Sequence, residues 1–365
     1  MATLYRQIYE TVRAQIDSGQ FDIGERLGTE KELAESHGVS TITIKRALNL
    51  LRDEGLVERV PRRGTFVKAR TAQSNTNLKH SKPFIGCVVT NFDDTFGTPL
   101  LGGLLDSAAE TANLIIRRSL GQPQLEESLI TDFIDDGVQG LILEPTSSQW
   151  VAPSVLELIT RRFPIVILDR SLAGIPISTV ASDNVEAGRV LTQHLLELGH
   201  QHIGWVASAG QVSTLQERYE GFVHAHAANG VTHSHDAIFD KVEATIPSTT
   251  TQLQDEVAAL RSWAKGHPHI TAFVAGEYNI ALLLKEALSQ EGLSVPQDKS
   301  VACFDHPDIT YDLSAFRFTH IRQDQHSMGA TAVEQVLRQI EQPELIKKYE
   351  LPTSLVVGAS TGRCR

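Results

Sequence analysis

The sequence lacks the marks of several large protein classes. Its three cysteines, Cys87, Cys303 and Cys364, stand far apart in 365 residues, without the pairing of a disulfide framework or the C-x-x-C spacing of a zinc site. That usage predicts a reducing cytoplasm. No apolar run reaches the roughly 20 residues that span a bilayer, and the opening MATLYRQIYETVRAQID mixes charges where a leader would be apolar. Neither a signal peptide nor a membrane partner is expected. Also missing are G-x-x-x-x-G-K-[ST], H-E-x-x-H and a strand-placed G-x-G-x-x-G, so the common phosphate loops, zinc hydrolases and dinucleotide folds are excluded. Gly358-Ala359-Ser360-Thr361-Gly362 satisfies G-x-S-x-G, but a nucleophile elbow needs a strand before its serine and a helix after it, and only three residues follow the motif, so no elbow is expected. His224/His226, His233/His235 and His267/His269 are H-x-H pairs. On a helix the first pair's neighbours point about 200° apart, which is wrong for a shared ion, and the other two pairs fall in expected loops and read as surface histidines. No catalytic residue, metal or cofactor is expected, and the chain is not read as an enzyme.

What is present is enough apolar sequence for a sizeable core, with 41% hydrophobic and 21% charged residues, in a length suited to more than one domain. The net charge of −11 is unevenly spread. Residues 1–70 hold 12 basic and 10 acidic residues, and within 37–70 the count is 8 against 3, so the acidity belongs to the remainder. Exposed charges more than about 8 Å apart are screened at physiological salt. A polyanion would therefore meet the basic head and not the acidic body.

The first seventy residues carry strong local signals. Leu4, Ile8, Val12 and Ile16 recur every fourth position, predicting one face of a helix that stops near Ser18-Gly19. Thr29-Glu30-Lys31-Glu32 has the form of a capping box opening a short helix, which Gly38 ends. Ser40 then caps a third helix with Ile44, Ala47, Leu48 and Leu51 on one face and Lys45, Arg46 and Asn49 on the other. The alternation in residues 56–60, the turn Pro61-Arg62-Arg63-Gly64 and Thr65-Phe66-Val67 describe a hairpin with a basic tip. Together these make a winged helix-turn-helix, in which a helix enters the major groove and the wing reaches adjacent backbone.

These residues closely resemble the GntR family. The matching segments are Leu4-Tyr5-Arg6-Gln7-Ile8, Thr29-Glu30-Lys31-Glu32-Leu33-Ala34, Gly38-Val39-Ser40 followed by Thr43-Ile44-Lys45 and Ala47-Leu48, Glu54-Gly55-Leu56, and Gly64-Thr65-Phe66-Val67. By matching positions, the resemblance places contacts to double-stranded operator DNA on Lys31, Ser40, Thr41, Thr43, Lys45, Arg46 and the wing at Arg62, Arg63 and Gly64. Gly28 replaces the family's usual proline and Arg62 its first wing glycine. Thr41 stands where arginine is common, which implies an altered operator preference.

Residues 71–82, TAQSNTNLKHSK, are polar and read as a linker. The expected organisation is a DNA-binding domain at 1–70, a linker at 71–83 and a larger domain at 84–365. From residue 84, short apolar strands alternate with helices: Phe84–Val89, Leu114–Ile116, Gly140–Leu143 and Pro164–Leu168, then Ile203–Val206, Ala272–Val274 and Val301–Phe304. That pattern predicts parallel sheets covered on both faces, arranged as two α/β lobes that follow each other, with a ligand cleft at the strands' carboxyl ends.

Residues 84–361 resemble the LacI family's effector domain, which is similar to periplasmic sugar-binding proteins. The resemblance rests on Asp135-Asp136-Gly137-Val138 with Gly140–Leu143, on Ile167-Leu168-Asp169-Arg170, on Val180 with Ser182-Asp183-Asn184 and Ala187-Gly188, on Arg218 with Gly221-Phe222, and on Phe304-Asp305. A GntR head on a LacI body resembles the arabinose-repressor subfamily. The implied fold is α/β: a winged helix-turn-helix plus a two-lobed periplasmic-binding-protein-like effector domain with parallel sheets. The implied effector contacts fall on the loop Asn91–Phe96, with Phe96 stacking on a sugar ring, and on Asp183, Arg218 and Asp305, with Glu144 and Glu277 as further candidates. Where the family has Asn-Asp, this chain has Glu277-Tyr278, which reshapes the pocket.

The expected protein is a cytoplasmic homodimeric repressor released from its operator by a small-molecule effector, a sugar such as L-arabinose. A regulator answering to a purine or a sugar phosphate stays open, since Arg170, Arg218 and Arg322 could supply cations. From another class, a sugar-modifying enzyme would lack a phosphate loop, a nucleophile-base pair and a metal cluster.

Overall fold

The four-residue spacing at the amino terminus forms α1 (Leu4–Asp17), which buries Val12 and Ile16. The computed structural model describes residues 4–60, 63–68, 82–93, 95–210, 212–247, 249–307 and 316–364, so Arg62 and most of the predicted linker lie outside the described residues. The chain divides into two units, Met1–Ser81 and Lys82–Arg365.

In the first unit, α1 is followed by β1 (Arg26–Gly28), α2 (Glu30–His37), α3 (Thr41–Asp53), β2 (Val57–Val60) and β3 (Gly64–Val67). The capping box forms as its residue types dictate: Thr29 accepts from Glu32 N–H while Glu32 accepts from Thr29 N–H. Ile44, Leu48 and Leu51 of α3 close over Val12, Ile16 and Ala34, with Leu56, Val57 and Val67 beneath. One strand, β1, has no counterpart in the sequence reading. Its three residues carry no periodicity, and it exists through antiparallel pairing with β3, giving the order β1-β3-β2.

The second unit holds two lobes. Its first part runs β4 (Phe84–Val89), α4 (Thr98–Ala108), β5 (Asn113–Arg118), α5 (Pro123–Asp135), β6 (Gly140–Leu143), α6 (Pro153–Thr160), β7 (Ile165–Leu168) and β8 (Ser178–Ser182). Next come α7 (Asn184–Glu197), β9 (Ile203–Ser208), α8 (Ser213–Ala228), β10 (Ile238–Val242), α9 (Leu253–Gly266), β11 (Ala272–Ala275), α10 (Tyr278–Gln290), β12 (Ser300–Phe304) and β13 (Thr319–Gln323). The chain then returns through α11 (Gln325–Glu341), β14 (Lys348–Leu351) and β15 (Thr353–Val356). The sheets have orders β14-β8-β7-β6-β4-β5 and β10-β9-β11-β12-β13-β15, parallel throughout except for β13 with β15. Strands β6, β7, β11 and β12 are buried along their whole length, as sheets covered by helices on both faces require.

The lobes are not consecutive segments, and this corrects the sequence reading. The chain crosses between the sheets three times, after β8, after β13 and after β14. Helix α11 belongs to the first lobe because Met328, Ala332, Val333 and Val336 are buried against β4, β6 and β7 side chains there. Glycines permit the closest helix approach in each lobe. A Cβ on Gly188 of α7 would lie 2.1 Å from the Arg218 carbonyl oxygen of α8, and one on Gly103 of α4 would lie 1.9 Å from the His326 carbonyl oxygen of α11.

Candidate functional site

The head presents its cations on the face opposite its core. Thr41, Ile42, Lys45 and Arg46 of α3 are exposed, as is Lys31 of α2, while Ile44, Ala47 and Leu48 point inward. Ser40 is held as the α3 N-cap, its Oγ accepting from Thr43 N–H at 3.2 Å and lying 2.8 Å from Thr43 Oγ1. On the wing, Arg63 is exposed with its guanidinium 5.8 Å from the centre of the Phe66 ring. Gly64 has φ +114°, and a Cβ there would stand 3.0 Å from the Gly28 carbonyl oxygen, so glycine allows the tight approach of wing and β1. Two residues that sequence reasoning passed over belong to this surface. Ile42 is 66% exposed, and its departure from the apolar spacing of α3 was the available signal. Arg59 pairs with Glu30 at 3.1 Å and donates to the Lys45 carbonyl at 3.4 Å, fastening β2 to both helices.

In the second unit, a cleft of about 240 Å³ lies between the lobes at the carboxyl ends of their strands. Phe96, Glu144, Arg218, Glu277 and Asp305 all line it. Asp183 does not. It is the N-cap of α7, accepting from Glu186 N–H at 2.9 Å, and its neighbour Asn184 takes the indirect role. Asn184 Oδ1 receives Arg218 Nε at 3.0 Å, and Nη1 of the same arginine donates to the Gly276 carbonyl at 2.9 Å. The guanidinium lies 4.3 Å from the Phe304 ring centre, so Arg218 is held on three sides with Nη2 uncommitted among the described residues.

Asp305 is the point where cleft and crossover strands meet. Its Oδ2 accepts from Gln323 Nε2 at 2.8 Å and its Oδ1 from Gln325 Nε2 at 3.4 Å, while Gln323 Oε1 accepts from Ser182 Oγ at 2.7 Å. Ser182 and Gln323 end two of the crossing strands. Burial pushes the Asp305 carboxyl up to about 6 against the pull of Arg218. On the opposite wall Glu144 receives Thr90 N–H at 2.9 Å and pairs with Arg170 at 3.1 Å; Arg170 also donates to the Pro145 carbonyl.

In the sequence Asp169 stands out only as part of the family-matching segment Ile167–Arg170, yet it is the least satisfied acid in the cleft. It is 8% exposed, has φ +63°, and burial, with Glu144 nearby, raises its carboxyl to about 7. Its Oδ1 has no hydrogen-bond partner. Glu277 is likewise raised by burial, against a hydrogen bond with the Thr245 side chain. Among the described residues, Asp169 Oδ1 and Arg170 Nε are buried in this cleft without a partner. Buried polar groups are otherwise almost always paired, so two such atoms side by side suit a polar ligand.

Residues 4–67 match the bacterial regulatory proteins of the gntR family, and residues 192–361 match the periplasmic binding protein-like domain. The chain joins a GntR-type DNA-binding head to a periplasmic-binding-protein-like effector domain. The regulator is 29% identical over 348 residues to the arabinose metabolism transcriptional repressor of Geobacillus stearothermophilus, covering 94% of this chain and 93% of that one. Its fold is similar to that of a LacI family transcriptional regulator from Enterococcus faecium with bound ribose (TM-score 0.63, 23% identity, 77% of this chain and 100% of that one). The transcriptional regulator CelR-cellobiose complex is similar too (TM-score 0.66, 21% identity, 88% of this chain and 91% of that one). These matches place the chain among DNA-binding transcriptional regulators and not among enzymes. No helix of the described residues is long and apolar enough to cross a membrane.

Proposed function

We propose that the regulator is a cytoplasmic repressor, released from its operator when a small sugar, L-arabinose or a related pentose, occupies the cleft between the lobes. The single observation that carries this reading is the meeting, in that cleft, of the unpartnered Asp169 Oδ1 and Arg170 Nε with the carboxyl groups of Glu144, Glu277 and Asp305. A polyol suits them because its hydroxyls both donate and accept, while Phe96 offers an apolar face to a sugar ring. The name of the Geobacillus relative favours arabinose. A purine or sugar phosphate is less well served: Arg170 is engaged by Glu144, and Arg322 is exposed and not among the cleft-lining residues.

A homodimer would place two heads on a pseudo-palindromic operator, protein symmetry mirroring site symmetry. Ser40, Thr41, Thr43 and Arg46 would meet base edges, with Ile42 packing on a thymine methyl group. Lys31, Lys45, Arg62, Arg63 and the backbone at Gly64 would meet phosphates. Residues 71–83 would serve as the linker between head and body. Sugar at Asp305 would act on Gln323 and hence on the crossover strands, closing one lobe on the other. Release then follows if sugar binds the DNA-free arrangement more tightly, since coupling between two sites is reciprocal.

Titrating a fluorescent promoter fragment with the full chain, with and without each pentose and hexose, tests the reading. Sugar-dependent loss of DNA binding is expected. No DNA binding at low salt, or no heat in calorimetry with any pentose or hexose, would overturn it.

A further inference from the structure

We propose that this cleft filters its effector by charge: its surplus of carboxyl groups, with Asp169 and Glu277 foremost, takes the donors of an uncharged or amine-bearing sugar and turns away phosphorylated and carboxylated ones. The inference rests on the sugar reading above and narrows its ligand class.

Five carboxyl groups, on Asp93, Glu144, Asp169, Glu277 and Asp305, face two guanidinium groups, on Arg170 and Arg218. Arg170 is taken up by Glu144 and the Pro145 carbonyl. Arg218 has committed Nε and Nη1 to Asn184 and Gly276, which leaves it one free nitrogen. An anion entering here would meet that nitrogen and the unpartnered Nε of Arg170 against the five carboxyl groups, whose repulsion grows as Asp169, raised to about 7, ionises.

The helix ends point the same way. An exposed helix N-terminus is a ready anion site, and α8 and α10 both begin in the lining of the cleft. At α8 the Ser213 N–H is already held by Ser148 Oγ at 2.8 Å. At α10 the N-cap residue is Glu277 itself, whose carboxyl makes no cap hydrogen bond and sets a negative group where an anion would otherwise be drawn. Glu277 thus acts as a specificity residue by repulsion as well as by attraction.

The test is calorimetry of the full chain and of Glu277→Gln with L-arabinose, a neutral hexose, a hexosamine, a hexuronate and a hexose phosphate, with thermal unfolding as the check on folding. In the parent the anionic sugars should bind roughly 100-fold more weakly than the best uncharged or amine-bearing one, and Glu277→Gln should narrow that gap by about tenfold. If Glu277→Gln does not fold, Asp169→Asn and Glu277→Asp report on the same gap. Anionic sugars binding the parent within a few-fold of neutral ones, or a gap unmoved in every folded variant, overturns the filter alone. Absence of binding by every sugar overturns the sugar reading and the filter with it.

Discussion

Replacing Arg218 with lysine keeps a positive charge in the cleft and removes the planar fork, so it separates geometry from charge. The arginine makes two charge-assisted hydrogen bonds, to Asn184 at 3.0 Å and to the Gly276 carbonyl at 2.9 Å, and stacks 4.3 Å from Phe304. Each hydrogen bond of a charged group contributes about 1.5–3 kcal/mol net, and a desolvated cation over an aromatic ring about 2 kcal/mol. A lysine recovers part of this, which leaves a loss on the order of 2–5 kcal/mol. At about 2–4 °C per kcal/mol for a large domain, the effector unit should melt roughly 5–15 °C lower. Loss of the one uncommitted nitrogen, Nη2, should weaken sugar binding roughly 10- to 150-fold. Differential scanning calorimetry gives the first quantity and isothermal titration the second. A lysine variant with the parental melting midpoint and sugar affinity would refute the claim that the fork organises this cleft.

Burial raises Asp169 from 3.8 to about 7, so between those values the folded carboxyl keeps a proton that the unfolded one releases. Its contribution to stability therefore falls as pH rises from about 4 to 7, so the sugar-free parent should lose stability relative to Asp169→Asn between pH 5.5 and pH 8, a comparison in which the opposing buried histidines His200, His226 and His320 cancel. Sugar hydroxyls donating to Oδ1 favour the ionised form, so binding at pH 7 should release a fraction of a proton. That release is read from the buffer dependence of the calorimetric enthalpy, and it should vanish in Asp169→Asn. Gly188→Ala forces a Cβ to within 2.1 Å of the Arg218 carbonyl oxygen. It should cost about 1–3 kcal/mol in stability by chemical denaturation and weaken the sugar in parallel, whereas an unchanged midpoint would refute the close packing of α7 on α8. Arg46→Ala should weaken operator binding with a sequence-dependent loss of about 1–3 kcal/mol, while Lys45→Ala should weaken all duplexes alike and flatten the salt slope by about one. Fluorescence anisotropy over a salt series distinguishes them, and identical behaviour of the two variants would contradict the split between base and phosphate contacts.

The signals that could be read from sequence act over a few residues. Thr29 and Glu32 form their reciprocal cap, Ser40 caps α3, and Ile44, Leu48 and Leu51 are buried, because capping and one-face periodicity are settled within a turn or two of helix. The apolar runs at Gly140–Leu143 and Ile165–Leu168 become strands for the same local reason. The misses are non-local. Strand β1 needs β3 as a partner, and α11 joins the first lobe because its apolar face fits the core there.

The candidate site divides along the same line. The resemblance to the LacI-type effector domain marked Phe96, Glu144, Arg218, Glu277 and Asp305, and all five line the cleft. It could not separate Asp183, which caps a helix, from Asp169, which is buried with an unpartnered oxygen, since both are aspartates just after a strand. Local sequence determined the helices, the strands and a cationic head face, because those depend on neighbours a few positions apart. Tertiary structure decided which acids share a cleft and which of them remain unpaired. That outcome depends on sheet order bringing loops from residue 90 to residue 323 into one desolvated space, where a carboxyl's energy is set by partners far away in the chain.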